Sequence, residues 1–170
     1  MRFLITIIAL CLIGCSAGEK RIYEIDIHDQ NGDRLGDATF KEVPEGVNIH
    51  IKVEGLTSGF HGIHIHEHAK CEGPDFTSAG DHLNPDDNEH GLMHPKGSHL
   101  GDLPNIEVDS NGKVDVELLL REATLKEGRY SLLQDGGTSL IIHEKQDDGI
   151  TQPSGDSGER IACGLLKKDS

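Results

Sequence analysis

Eight residues in the middle of this chain, Phe60-His61-Gly62-Ile63-His64-Ile65-His66-Glu67, constrain it more than any other stretch. The run alternates, with isoleucine at Ile63 and Ile65, and so has the period of a β-strand. In a strand, residues i and i+2 project from the same face, which sets His64 and His66 side by side. Two neutral imidazoles on one rigid strand are half of a transition-metal site. Further donors lie downstream. His82, His90, His99 and Asp102 fall in a segment rich in glycine and proline, and His143 ends the apolar run Thr138-Ser139-Leu140-Ile141-Ile142. These are more donors than one ion needs and about right for two.

The rest of the chain supplies partners for such a strand. Alternating or apolar runs predict strands over Arg21–His28, Leu35–Val43, Val47–Val53, Phe60–Glu67, Asn105–Val108, Gly112–Leu119, Ser139–Glu144 and Ile161–Leu166. Turn chemistry separates several of them, as at Asn31-Gly32 and Asp109-Ser110-Asn111-Gly112. A short helical turn is expected within Arg121–Glu127. Two stretches lack any period, His68 to about Pro104 and Lys145–Glu159, and structureless loops of that length are usually functional. Twenty-one glycines, no tryptophan and few other aromatics suit short strands with tight turns better than a helical bundle. The expected fold is all-β: one domain built as an eight-stranded antiparallel Greek-key sandwich or flattened barrel with two long functional loops.

A formal charge of −14 with no basic stripe excludes nucleic acid as a partner. The first residues read as a targeting segment: Arg2, then a continuous apolar stretch from Phe3 to Ile13, too short for a membrane-spanning helix. Leu12-Ile13-Gly14-Cys15 has the form of a lipoprotein cleavage box, the alternative being an ordinary secretory signal with an incidental cysteine. On this reading residues 1–14 are a signal peptide, and Cys15 carries acyl chains that anchor the protein to a lipid membrane. Residues 15–20 are then a tether and residues 21–170 the exported domain. Cys11 leaves with the signal and Cys15 takes the lipid. Cys71 and Cys163 remain, an even pair in an oxidising compartment, which predicts one disulfide. Zinc ligation by these two cysteines would call for a Cys-x-x-Cys pair that is not present.

Five segments together resemble the copper–zinc superoxide dismutase family in its bacterial form. They are Gly59–Glu67, Thr77–Pro85 (TSAGDHLNP), His99–Leu103 (HLGDL), Ile141–Lys145 (IIHEK) and Gly158–Gly164 (GERIACG). The likeness spans nearly the whole chain after the leader, in the same order. It implies that His64, His66, His82 and His143 bind copper and that His82, His90, His99 and Asp102 bind zinc, the imidazole of His82 bridging the two ions. It also implies that Asp147 accepts hydrogen bonds from one ligand of each metal, and that Arg160 lies beside the open copper position and holds superoxide. The implied activity is oxidoreductase. One superoxide is oxidised to oxygen and a second is reduced to hydrogen peroxide, while copper alternates between Cu(II) and Cu(I) and His82 takes up and returns a proton. Four imidazoles suit copper in both states, and three histidines with one aspartate form the closed set that structural zinc takes.

The remaining histidines have plainer readings. His61 matches a packing position of the family, His68 and His94 match no ligand, and His28 and His50 fall in strands away from the motifs. The second long loop has no lysine between Asp148 and Arg160, so substrate steering, if any lysine supplies it, falls to Lys96. A copper or zinc carrier on the same scaffold is the competing function. No oligomeric state follows from the residues.

Overall fold

Alternation of inward apolar and outward polar side chains builds the sheet. This computed structural model describes residues 22–168; the leader, Cys15, the tether and Arg21 lie outside the described residues. The strands are β1 (Ile22–Asp29), β2 (Arg34–Val43), β3 (Gly46–Glu54), β4 (Gly59–His61), β5 (Ile63–His66), β6 (Ile106–Val108), β7 (Lys113–Arg121), β8 (Thr138–His143) and β9 (Arg160–Leu166). In β3, for example, Val47, Ile49, Ile51 and Val53 are buried while Asn48, His50 and Lys52 are not.

Seven strands form one curled antiparallel sheet in the order β5-β8-β9-β1-β2-β3-β7, and β4 pairs with β6. Only Gly62 separates β4 from β5, and a tight turn at Asp109–Gly112 joins β6 to β7. The small ladder therefore ties the two edges of the half-barrel together. β3 and β7 are neighbours in the large sheet although β4, β5 and β6 lie between them in the chain, the crossover of a Greek-key arrangement. Phe40, Ile49, Ile51, Ile63, Ile65 and Ile142 are fully buried in its core, each contributing about 1.5–3 kcal/mol by leaving water.

Two expectations need correction. The run Phe60–Glu67 is not one strand, so eight expected strands become nine. Gly62 leaves the ladder to donate its N–H to the Lys145 carbonyl (2.8 Å) and to accept from the His143 N–H (2.8 Å). The helical turn expected within Arg121–Glu127 does not form. Glu42, on β2, accepts hydrogen bonds there from the Leu125 N–H (2.6 Å) and the Thr124 hydroxyl (2.8 Å), and Thr124 makes a short β-bridge with Ser131. A carboxylate more than 80 residues away thus fixes a donor that a helix would have had to satisfy. The helical turns that do form are three-residue 3-10 pieces at Thr77–Ala79 and Gln134–Gly136.

Candidate metal centre

Strand β5 is buried on both faces. Ile63 and Ile65 enter the core, while His64 and His66 project to the other side, under the first long loop. That loop is pinned along β5. The Ile65 N–H donates to the Gly101 carbonyl (2.9 Å), the Leu83 N–H to the Ile65 carbonyl (2.8 Å), and the Gly101 N–H to the Leu83 carbonyl (2.8 Å). A side chain at position 101 would collide with the Ile65 carbonyl, which explains the glycine. Short antiparallel bridges then set His66 opposite His82 and His64 opposite Asp102. From the other edge, β8 delivers His143, and a bulge between Ile142 and His143 puts His143 across from Arg160 of β9. Bulges commonly re-aim side chains beside active sites.

The outcome is two buried groups of donors that share one residue. His64, His66, His82 and His143 form the first, and His82, His90, His99 and Asp102 the second, with the donor atoms of each group within 4.8 Å of one another. Every ligand position taken from the sequence falls in one of these groups. Asp147 stands behind both: His64 Nε2–H donates to its Oδ2 (2.8 Å) and His90 Nε2–H to its Oδ1 (2.9 Å). His61 sits beneath, its ring nitrogens 2.7 Å from the His143 carbonyl and 2.8 Å from the Thr57 carbonyl. His68 is exposed beside Glu67, and His50 pairs with Asp115 on the barrel surface.

Both groups fit metal ions. Among the described residues, five buried side-chain polar atoms have no hydrogen-bond partner. Four of them are His64 Nδ1, His66 Nε2, His82 Nε2 and His143 Nε2; the fifth is Ser139 Oγ. Orphaned buried acceptors are costly unless something fills the space between them. The opposite nitrogen of each ring is held: His64 by Asp147, His66 by the Gly80 carbonyl (2.9 Å), and His143 by the Gly158 carbonyl (3.3 Å) and Ser157 hydroxyl (3.1 Å). These contacts fix the tautomer that turns a lone pair inward. In the second group, Asp102 Oδ1 lies 2.9 Å from His82 Nδ1, 3.1 Å from His90 Nδ1 and 3.3 Å from His99 Nδ1. Such spacings are near the edge of a tetrahedron with zinc–nitrogen bonds, about 3.3 Å.

The electrostatics agree. Burial lowers His82 to about 4 and His143 to about 3, and pushes His64 and His66 down as well. These rings are neutral at pH 7, as ligands must be. Burial opposes ionisation of Asp102 and Asp147, but hydrogen bonds from the surrounding imidazoles hold both well below the usual carboxylate range. His90 runs the other way. Burial pushes it down, yet Asp102 and Asp147 on its two nitrogens lift it to about 9. His90 is thus protonated at neutral pH, and a divalent cation displaces that extra proton on binding.

Arg160 brings a guanidinium to the edge of the first group. Its Nη1 donates to the Phe76 carbonyl and its Nη2 to the Gly80 carbonyl, both at 2.8 Å, leaving donors of its five-donor fork for a ligand. Its charge is felt by His66 and His143, and it lines a cleft of about 520 Å³ with Thr77 and Gly158. A larger cleft of about 820 Å³ runs along β1 and the disulfide but contains none of the clustered imidazoles. The Cys71–Cys163 disulfide is formed, with Cα atoms 5.8 Å apart.

Several positioning residues had no signal in the sequence. Asn105 brackets Asp147, donating to its carbonyl and accepting from its N–H, both at 2.8 Å. Gln152 does the same for His90, accepting from its N–H (2.7 Å) and donating to its carbonyl (3.0 Å). Gly155, at φ +68°, lies where a side chain would strike the Asp147 carboxylate. Each is an ordinary loop residue until the two long loops meet.

Fold and site together define a class of protein: an antiparallel β-barrel metalloprotein with two adjoining imidazole-rich centres and an arginine beside one of them. Residues 35–166 match the family model of copper/zinc superoxide dismutase. The chain is 42% identical to superoxide dismutase [Cu-Zn] 1 of Aquifex aeolicus, over 94% of this chain and 96% of that one. It is 40% identical to the Cu-Zn superoxide dismutase of Caulobacter vibrioides, over 81% and 80%. A crystal structure of a double mutant of a superoxide dismutase-like protein from Bacillus subtilis matches with a TM-score of 0.82 and 45% identity, covering 85% of this chain and 96% of that chain. The chain belongs to the copper/zinc superoxide dismutase family, whose members are oxidoreductases that use copper and zinc.

Proposed function

We infer that this protein is a superoxide dismutase in which His64, His66, His82 and His143 hold copper, and His82, His90, His99 and Asp102 hold zinc. One observation carries the reading: four buried imidazole lone pairs converge without a partner beside a guanidinium that still has donors to offer. Copper, when bound, supplies one-electron exchange between Cu(II) and Cu(I), and zinc supplies charge without redox chemistry. The remaining work belongs to the chain. Arg160 binds the superoxide anion by charge-assisted hydrogen bonds. His82 Nε2 is the atom positioned to take up and return a proton, because His82 Nδ1 is engaged by Asp102 and turned away. Asp147 and Asn105 hold the two centres in register, and the buried barrel wall keeps water from the imidazoles.

The Arg160 side chain separates this reading from a metal carrier, which has no use for an anion site. Arg160→Ala, compared with the wild type at equal copper content, is expected to lower kcat/KM about tenfold, one charge-assisted hydrogen bond being about 1.5 kcal/mol. Equal rates would favour the carrier.

The disulfide suits an extracytoplasmic compartment, where such bonds persist. The leader supports a finer statement: residues 1–14 are removed and Cys15 is lipidated, leaving residues 21–170 on a short tether at a membrane surface.

A further inference from the structure

The zinc-type group has its own opening to solvent. A groove of about 710 Å³ reaches His99 and Asp102, and its walls carry Glu45, Asp86 and Glu122 against a single cation, Arg121. His99 is 9% exposed and lines this groove, and its Nε2 has no hydrogen-bond partner among the described residues. Asp86 is engaged by Arg129 at 2.7 Å, so the mobile negative charge belongs to Glu45 and Glu122. The chain sets these two together: the Glu122 N–H donates to the Glu45 carbonyl (3.2 Å). Glu122 also adopts φ +65°, a left-handed conformation in which glycine would be unstrained. Arg160 bears instead on the copper-type group, its charge acting on His66 and His143.

We propose that the groove bounded by Glu45 and Glu122 is the route by which a divalent cation reaches His82, His90, His99 and Asp102, separate from the cleft at Arg160. The inference rests on the metal assignment above. A carboxylate-lined cleft with low-dielectric walls concentrates cations and raises their association rate. The protein then has two separate mouths: the substrate anion uses the one at Arg160 and the structural cation uses the one at His99.

The test is cobalt(II) uptake by the full-length chain after its metals are stripped with a chelator, followed by the visible absorption of the tetrahedral ion in a stopped-flow instrument. A His66→Ala background removes a donor found only in the copper-type group, so the signal reports on the zinc-type group. Adding Glu45→Gln and Glu122→Gln is expected to slow association about three- to tenfold at low ionic strength. The difference should vanish near 1 M salt, where screening acts within about 3 Å. The dissociation rate should slow by the same factor and the affinity stay unchanged, because neither carboxylate touches the bound ion. Equal association rates at low salt would overturn the route and leave the metal centre standing. No cobalt uptake in either protein would overturn the centre as well.

Discussion

Replacing Cys163 with serine is expected to cost about 4.6 kcal/mol of unfolding free energy. The disulfide joins residues 92 apart in sequence, and the chain-entropy cost of closing a loop of that length gives the figure. The effect does not stop at stability. Cys71 sits at the head of the segment that carries the Phe76 and Gly80 carbonyls, and those carbonyls orient the Arg160 guanidinium. Phe76, Ala79, Ile141 and Cys163 form a small buried cluster around the bond, with Cys71 packed against it. Freed from Cys163, this segment keeps that cluster and its hydrogen bonds to β5 but loses its covalent tie, so Arg160 loses orientation and activity falls with stability. Urea titration of the oxidised protein and Cys163→Ser measures the first effect as a fall in the unfolding free energy extrapolated to water, with a steeper slope because the unfolded chain without the cross-link exposes more surface. A loss below about 1 kcal/mol would mean that native strain or residual structure cancels the entropic gain.

Asp147→Asn is expected to weaken copper binding about 10- to 100-fold, the usual cost of losing a partner behind a ligand, and to spare zinc binding by comparison. The asymmetry follows from hydrogen positions. Asp147 Oδ1 accepts from both His90 Nε2–H (2.9 Å) and the Gly149 N–H (2.7 Å), whereas Oδ2 accepts only from His64 Nε2–H (2.8 Å). The asparagine oxygen therefore keeps the Oδ1 place and its amide faces His64. Two donors cannot share a hydrogen bond. His64 must shift its proton to Nδ1, the atom that points without a partner into the copper-type group. Competition against chelators for each metal in turn measures the effect. Equal losses at both centres would show that Asp147 acts through overall charge, not through the tautomer of His64.

The ligand strand was legible because its chemistry is local. Period-2 alternation alone sets His64 and His66 on one face, and the neighbouring isoleucines identify the other face as core. Division of the downstream donors between two ions was not local, and it came from the resemblance of five segments to one family. The break at Gly62 was hidden because a glycine inside an alternating run is compatible with an unbroken strand. Residues 121–127 were misread for a different reason: Glu42, on another strand, satisfies donors that the local sequence offers to a helix. Asn105, Gln152 and Gly155 were invisible on the same ground. Their partners lie 42, 62 and 8 or more residues away, and amides and glycines in polar loops are common without any such role. What tertiary contact alone creates, a single sequence does not display.

Superoxide dismutation is the measurement to make, using the chain from Ser16 onward loaded with copper and zinc, beside a His143→Ala control carrying the same zinc. Rapid turnover that disappears in the control is expected, since His143 Nε2 is one of the four convergent lone pairs and no other described residue replaces it. Full copper loading without turnover in the wild type would contradict the enzyme and leave a metal-binding barrel in its place.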